Sequence, residues 1–429
     1  MKYVTKSSIL LLFAMTMLLV ACVSTEDKSG KTKPRIIIST DIGGTDPDDF
    51  QSMLHYLLYA DQFQTEGLIS SPYGEGRAAD IIRMIDVYER DFPKLKGKAD
   101  FPTPASLRNL VKQGATGFAP ADGWSTATEG SNWIIRQAKK ETEQPLWVLV
   151  WGGLEDLAQA LHDAPEIQDK IRVYWIGGPN KKWSVHAYLY IAQHFPDLLM
   201  IEANSTYRGW FIEDNIPAEL GNEAFYEFNI KHAGAIGQEF GRHYGGHLKM
   251  GDTPSLAYLM DGDPDQPEAS SWGGSFTPLD FSPYRIYEAH TSERDTVPAY
   301  AVVEWTFTDP GWQQDSGTES IWMNIDRQRI DGFYQGKGTY NIRFVPKRAD
   351  HWAYEIHCTA QQLDGTTGAF ISTVPWPGQR KEGDLEANKW WSDRTESETY
   401  LDQYQGAKTV AQWRAAYLAD WAKRLQWLR

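Results

Sequence analysis

Four aspartates, Asp41, Asp46, Asp48 and Asp49, fall within nine positions of the stretch RIIISTDIGGTDPDDFQSM, and no basic residue stands among them. Like charges so close repel. Either solvent screens them on a turn, or a cation gathers them. Asp41 closes an apolar run, Asp48 and Asp49 open a helical one, and Gly43-Gly44 between lets the chain fold back. Carboxylates at a helix N-terminus are favoured by the helix dipole and often cap it. Capping accounts for Asp48 or Asp49 taken singly, but not for Asp41 at a strand end as well. Hard cations such as calcium take clustered carboxylates and backbone carbonyls, and the pattern predicts a metal site.

Such a site needs a scaffold that brings strand ends together. The apolar runs RIIIST, TEGLISS, PLWVLVWGG, KIRVYWIGG and DLLMIEAN are separated by segments of helical period. One of these, DDFQSMLHYLLYA, sets Phe50, Met53, Leu54, Leu57 and Leu58 on one face. Continuous apolar strands alternating with amphipathic helices predict a doubly wound, mostly parallel α/β sheet covered on both faces, over residues 35–297. Ligands bind such sheets at the carboxyl ends of the strands. The Asp cluster, Trp151 to Gly153 and Ile176 to Asn180 all fall there. From Pro298 the pattern changes to short alternating segments broken by Gly, Pro and Asp, which predict an antiparallel β-sandwich over 298–378. Residues 379–429 turn polar and then helical, with Val410, Trp413, Tyr417, Trp421 and Leu425 along one face.

A formal net charge of -15 excludes a nucleic-acid partner, which would need a basic face, and fits neutral ligands or cations. The 18 Trp and 21 Tyr serve either core packing or stacking on sugar faces. At the start, Lys2 and Lys6 flank an apolar run too short for a comfortable membrane span, the layout of a signal peptide over 1–21. Leu19-Val20-Ala21-Cys22 resembles the bacterial lipobox. That implies cleavage before Cys22, a diacylglycerol on its sulfur, and an exported lipoprotein held at the cell envelope, in the outer membrane or periplasm, with 22–34 as tether. Cys22 and Cys358 are the two cysteines, so an acylated Cys22 leaves no intrachain disulfide.

The opening stretch resembles the nucleoside hydrolase superfamily, whose hallmark is Asp-x-Asp-x-Gly-x-Asp-Asp after a strand. Asp41 stands at the second Asp, and Asp48 and Asp49 at the final pair. Ser39 replaces the first Asp, and the turn is three residues longer. LVWGGLEDLAQAL is similar to the segment whose backbone carbonyl reaches the metal, which puts Trp151 there. MGDTPSLAYLM is similar to the late His-Asp, with Asp252 at the Asp and Gly251 in place of the His. The order of further motifs, EGSNWII, GDTPS, Trp272-Gly273-Gly274 and the closing WR…D.A.R..W helix, resembles the exported branch named after a cellulose-binding protein. The β segment resembles the Ig-like module at the N-terminus of some glycoside hydrolases, inserted here within the α/β domain.

The resemblance implies a calcium held by Asp41, Asp49, Asp252 and the Trp151 carbonyl, with Asp41 as general base and Asp48 on a sugar hydroxyl. It implies a water attacking an anomeric carbon. For the acid at Gly251 the sequence offers His247, and for further substrate binding Asn180, Glu202 and Asn204 at strand ends. Three readings stay open. The first is a calcium-dependent hydrolase of a glycosidic bond in a glycan-derived sugar or oligosaccharide. The second is an N-ribohydrolase of nucleosides. The third is a carbohydrate-binding lipoprotein without turnover.

Overall fold

The computed structural model describes residues 32–70, 72, 77–312 and 321–429. The signal segment, Cys22 and nearly all of the tether lie outside the described residues. Strand β1 (Arg35–Thr40) is buried along its whole length, as a run rich in β-branched side chains must be when strands flank it on both sides. It pairs in parallel with β2 (Gln64–Ser70) on one side. Short β3 (Val111–Gln113) lies beyond β2. On the other side β1 pairs with β4 (Leu146–Val150), followed by β5 (Ile171–Ile176) and β6 (Leu199–Ala203), all parallel. The spatial order therefore runs 3-2-1-4-5-6, and chain direction of winding reverses between β1 and β4. Helices leaving those two strands go to opposite faces, so a crevice opens above their carboxyl ends.

After β7 (Phe276–Ser282) the chain leaves the sheet and builds two further sheets. Their strands are β8 (Tyr284–Tyr287), β9 (Thr296–Pro298), β10 (Val302–Thr308), β11 (Ile321–Ile325), β12 (Gln328–Asp331), β13 (Phe333–Gly336), β14 (Thr339–Phe344), β15 (Asp350–Cys358) and β16 (Thr367–Thr373). They pair as 13-14-10-8 and 12-11-15-16-9. The chain then returns as β17 (Leu385–Asp393), which slots between β6 and β7, parallel to the first and antiparallel to the second. The insertion thus departs from and re-enters the main sheet through adjacent strands.

Two differences from the sequence reading concern this region. The β-sandwich starts at Tyr284 rather than Pro298. Strand β8 buries Arg285, which is paired with Asp384, and exposes Ile286, so its apolar pattern gives no sign of a sandwich strand. The two sheets also hold two parallel edge pairs, β8 with β10 and β9 with β16. The helix Asp48–Leu58 is buried on all sides, not only on its apolar face. Among the described residues no helix is long and apolar enough to cross a membrane.

One hydrophobic cluster runs without a break from Ile37, Val148, Trp175 and Tyr188 of the α/β part into Val303, Trp305, Phe344 and Phe370 of the sandwich. Polar contacts tie the same boundary. Lys182 Nζ donates to Gln328 Oε1 at 2.6 Å, and Arg343 donates to the Ala121 carbonyl at 2.9 Å. Such a joint core couples the two parts on unfolding. Urea melts followed by tryptophan fluorescence and by far-UV circular dichroism are expected to coincide in a single transition. Two separated transitions would mean an independent sandwich.

Candidate metal centre

Beyond β1 the chain turns at Asp41, whose carbonyl accepts from Gly44 N at 2.9 Å, and Gly43 takes a positive φ of 84°. The turn delivers Asp48 and Asp49 to the first turn of the helix Asp48–Leu58, directly over the end of β1. That helix has no side-chain cap hydrogen bond, so neither carboxylate is spent on capping. Asp49 Oδ1 instead accepts from the Thr40 hydroxyl, and Asp48 Oδ2 from Gly251 N at 3.2 Å. Asp252 arrives from the other side, just ahead of the helix Thr253–Met260, again with no side-chain cap hydrogen bond. Carboxylate oxygens of Asp48, Asp49 and Asp252 lie within 4.8 Å of one another.

All three are buried, and Asp41 lines the same cleft of about 200 Å³. Burial pushes Asp41 up to about 6, partly offset by a hydrogen bond with Asp49. Burial, with the charge of Asp46 added, pushes Asp48 up to about 7. Asp49 and Asp252 rise well above the ordinary carboxylate range, first through burial and then through their acidic neighbours. Such a group holds protons unless a cation replaces them. Asp252 Oδ2 is buried and has no hydrogen-bond partner. Three hard oxygen donors and an orphaned carboxylate oxygen fit a divalent cation.

The crevice brings together Asp41, Asp48, Asp49, Trp151, Asn180 and Asp252 of the residues expected from sequence. Asn180 Nδ2 donates to the Trp151 carbonyl at 3.1 Å and to the Ile176 carbonyl at 3.0 Å, bracing the ends of β4 and β5. The Trp151 indole donates to Ser255 Oγ at 2.8 Å, which ties it to the Asp252 segment. Gly152 is obligatory, since a Cβ there would sit 2.7 Å from Asp41 Cγ. Gly251 is equally constrained: a Cβ would come within 2.5 Å of Asp48 Oδ2, so a His at this position would displace that carboxylate.

Three expected residues are not brought in. His247 is exposed and lies outside the cleft. The tight turn at Tyr244–Gly246 carries it away, and Lys249 is the residue of that segment that faces the acids, pairing with Asp46. Glu202 and Asn204 are fully buried beneath the cleft. Glu202 accepts from Lys181 Nζ at 2.8 Å and from Asn204 Nδ2 at 2.8 Å, while Asn204 Oδ1 accepts from Gly178 N at 3.0 Å. They shape the turn after β5 and have no free face for a ligand.

Sequence reasoning missed Lys249, Tyr207, Arg208 and the aromatics Phe118, Trp183 and Phe211, all of which line the cleft. Tyr207 and Arg208 lie just past the end of β6, a position that could have marked them. Phe118 and Trp183 are each a little under half exposed and stack at 6.3 Å between ring centroids. Phe118 sits on a long loop whose pattern carried no signal.

Residues 35–276 match the family described as cellulose-binding Sde182, nucleoside hydrolase-like domain. Residues 296–359 match a domain family of unknown function, DUF5060. A nucleoside hydrolase-related protein from Saccharophagus degradans, associated with carbohydrate metabolism, is similar at 19% identity over 80% of this chain and 100% of that one, with a TM-score of 0.49. An inosine-uridine preferring nucleoside hydrolase from Bacillus anthracis is similar at 13% identity over 91% and 99%, TM-score 0.40. A putative glycoside hydrolase from Bacteroides vulgatus is similar at 25% identity over 19% and 17%, TM-score 0.16. None of the three is close enough to lend this chain an activity. No curated protein matches it.

The electrostatics give a test with a definite sign. Asp41 and Asp48 have folded values near 6 and 7, above the ordinary 3.8. The cation-free folded state therefore keeps protons that the unfolded chain gives up, and loses stability as pH rises from about 4 through about 7. A divalent cation at this site would need the ionised acids, so its binding is expected to gain strength over the same range. Melting temperatures in chelator are expected to fall toward neutral pH. Millimolar calcium at pH 7.5 is expected to raise them by roughly 5 °C or more, and Asp252→Asn to abolish that rise.

Proposed function

The chain belongs to the cellulose-binding Sde182, nucleoside hydrolase-like family, and from that premise we propose that it is a calcium-dependent hydrolase of a glycosidic bond in a glycan-derived sugar. One observation carries the reading: the Asp48, Asp49 and Asp252 carboxylates converge within 4.8 Å, with Asp41 beside them in the same cleft. A site that served binding alone would have no need of this additional acid.

In this reading Asp49 and Asp252 would hold the ion with Asp41 and the Trp151 carbonyl, and Asp48, whose oxygen lies within 4.8 Å of theirs, would join them rather than serve only a sugar hydroxyl. When bound, a divalent cation supplies positive charge that acidifies a water and steadies sugar hydroxyls. Asp41 takes the proton from the attacking water. The water oxygen bonds to the anomeric carbon as the bond to the leaving group breaks, through an oxocarbenium-like state; the leaving group departs with the bonding electron pair and takes its proton from solvent. Asn180 fixes the backbone around Trp151. Phe118 and Trp183 at the mouth offer apolar faces to a ring beyond the scissile bond. Six other tryptophans, Trp151, Trp175, Trp210, Trp305, Trp376 and Trp390, are fully buried in the core, so Trp183 stands apart from that packing role.

A second reading, a carbohydrate-binding protein without turnover, is favoured by one feature: among the described residues no histidine lines the cleft to protonate a leaving group. Reducing-sugar release from plant and microbial oligosaccharides and from nucleosides separates the two. Release that requires calcium, falls by about 10²-fold or more in Asp41→Asn, and is absent in Asp49→Asn is the expected result. No release from any of them, with calcium still stabilising the fold, would favour the binding protein. Ribose release alone would make it an N-ribohydrolase.

The reading also places the enzyme at the cell envelope, tethered through an acylated Cys22. Cys22→Ser protein is expected to leave the detergent phase in which the parent partitions. Retention there would refute the anchor.

A further inference from the structure

The cleft is acidic at one end, where Asp41, Asp46, Asp48, Asp49 and Asp252 gather, and Lys249 is already committed to Asp46. Its other wall carries a second cation, Arg208, on the short helical turn Thr206–Trp210 that follows β6. The guanidinium is bracketed by two phenol rings, 5.1 Å from the centre of Tyr207 and 5.0 Å from that of Tyr404. Among the described residues its side chain donates no hydrogen bond and pairs with no carboxylate, and Nε is buried without a partner. The neighbouring buried acid Asp393 forms no ion pair with it: Oδ1 accepts from Thr206 N at 3.0 Å, and Oδ2 is buried without a hydrogen-bond partner.

This arrangement is unusual within the molecule. The other arginines without an acid or a backbone acceptor among the described residues, Arg90, Arg136, Arg294 and Arg327, are all exposed, where solvent reaches them. Arg208 is partly buried and turned to the cleft. A guanidinium presents a planar fork of donors matched to the paired oxygens of a carboxylate, sulfate or phosphate. Rings on it fix its plane and leave the fork open. Gly209 locks the backbone in place, since a Cβ there would meet the Ala407 carbonyl at 1.9 Å. With a formal net charge of -15, the molecule repels anions at long range. A local unpaired cation is then what an anionic ligand needs.

We propose that Arg208 reads an anionic group, a carboxylate or an ester sulfate or phosphate, carried by the sugar whose anomeric end lies against Asp48, Asp49 and Asp252. The proposal rests on the hydrolase reading above and narrows it to acidic saccharides. The substrate spans a dipolar cleft, with hydroxyls toward the acid end and its own negative charge toward Arg208.

The test uses the calcium-loaded protein and matched pairs of probes. These are glucuronate-bearing against undecorated xylo-oligosaccharides, sulfated against desulfated glycan disaccharides, and nucleoside 5′-monophosphates against nucleosides. Binding is read by tryptophan fluorescence at low and high salt. One charged class is expected to bind roughly 10- to 100-fold tighter than its neutral partner, with the difference shrinking in high salt. Arg208→Gln is expected to erase that preference and Arg208→Lys to retain part of it. The calcium-dependent rise in melting temperature, unchanged in both variants, would show that they fold. The class that binds tells carboxylate from sulfate and phosphate. Equal binding of charged and neutral members, equal loss of both in Arg208→Gln, or binding by no charged probe would overturn the proposal. Calcium-dependent cleavage of a neutral sugar that survives Arg208→Gln would overturn it while leaving the hydrolase reading intact. Loss of the calcium response in the parent protein would instead strike at that reading.

Discussion

Carboxylates do not gather inside a protein unless something makes their company tolerable. Oxygens of Asp48, Asp49 and Asp252 within 4.8 Å repel pairwise by roughly 3 kcal/mol at an effective dielectric of about 20. Burial raises the cost further, and Asp41 and Asp46 add to it. The rest of the cleft is arranged around that cost. Thr40 and the Gly251 amide each donate one hydrogen bond to a carboxylate, Lys249 neutralises Asp46, and Gly152 and Gly251 give up side chains so that two of the acids have room. These concessions leave the Asp252 oxygen unpartnered. The same repulsion gives a cation its leverage, because each acid it ionises would otherwise be protonated.

The scaffold answers this demand through winding order. Since the sheet reverses its build between β1 and β4, Asp41 and Trp151 emerge side by side at the top, and the helix Asp48–Leu58 can aim its first turn at them. The layer beneath is polar but satisfied: Lys181, Glu202 and Asn204 close on one another and hold the Gly178 turn. The inserted sandwich braces the rim from outside. Arg343 grips the loop that bears Phe118, and Gln328 grips Lys182 next to Trp183. The insertion is thereby part of the cleft's architecture and shares its core.

Much of this was legible in the sequence, and what was not has physical causes. Strands β1, β2, β4, β5 and β6 announce themselves as continuous apolar runs because both of their faces are buried. The Asp cluster is legible because charge crowding next to a strand end has few explanations. Glu202 and Asn204 show the limit of strand-end reasoning: position at a carboxyl edge does not say whether a side chain points up into the crevice or down into the layer below. His247 shows another, since a left-handed turn at Tyr244 and two glycines re-aims the chain within a few residues. Strand β17 gives no sign of its place, because LEANKWWSD has buried and exposed positions set by partners about a hundred residues earlier in β7 and about 190 earlier in β6. Arg208 was invisible for a related reason. Only three-dimensional neighbours reveal that an arginine has no acid to pair with.

The position of β17 has a consequence for how the molecule is made. Its neighbours β6 and β7 are complete by residue 282, yet the strand that joins them begins at Leu385. As the chain emerges in order, β6 is a bare, apolar edge and β7 has no pairing partner among the described strands until the whole sandwich has followed. Closing the sheet is therefore the last long-range event along the chain, and it also docks the segment carrying Tyr404 and the helix Arg414–Leu425. A chain released early would present an open edge ready to recruit the same strand from a second copy. Vectorial emergence thus turns the insertion into a timer: Arg208, on the cleft wall, acquires the Tyr404 ring beside it only after the whole insert has emerged.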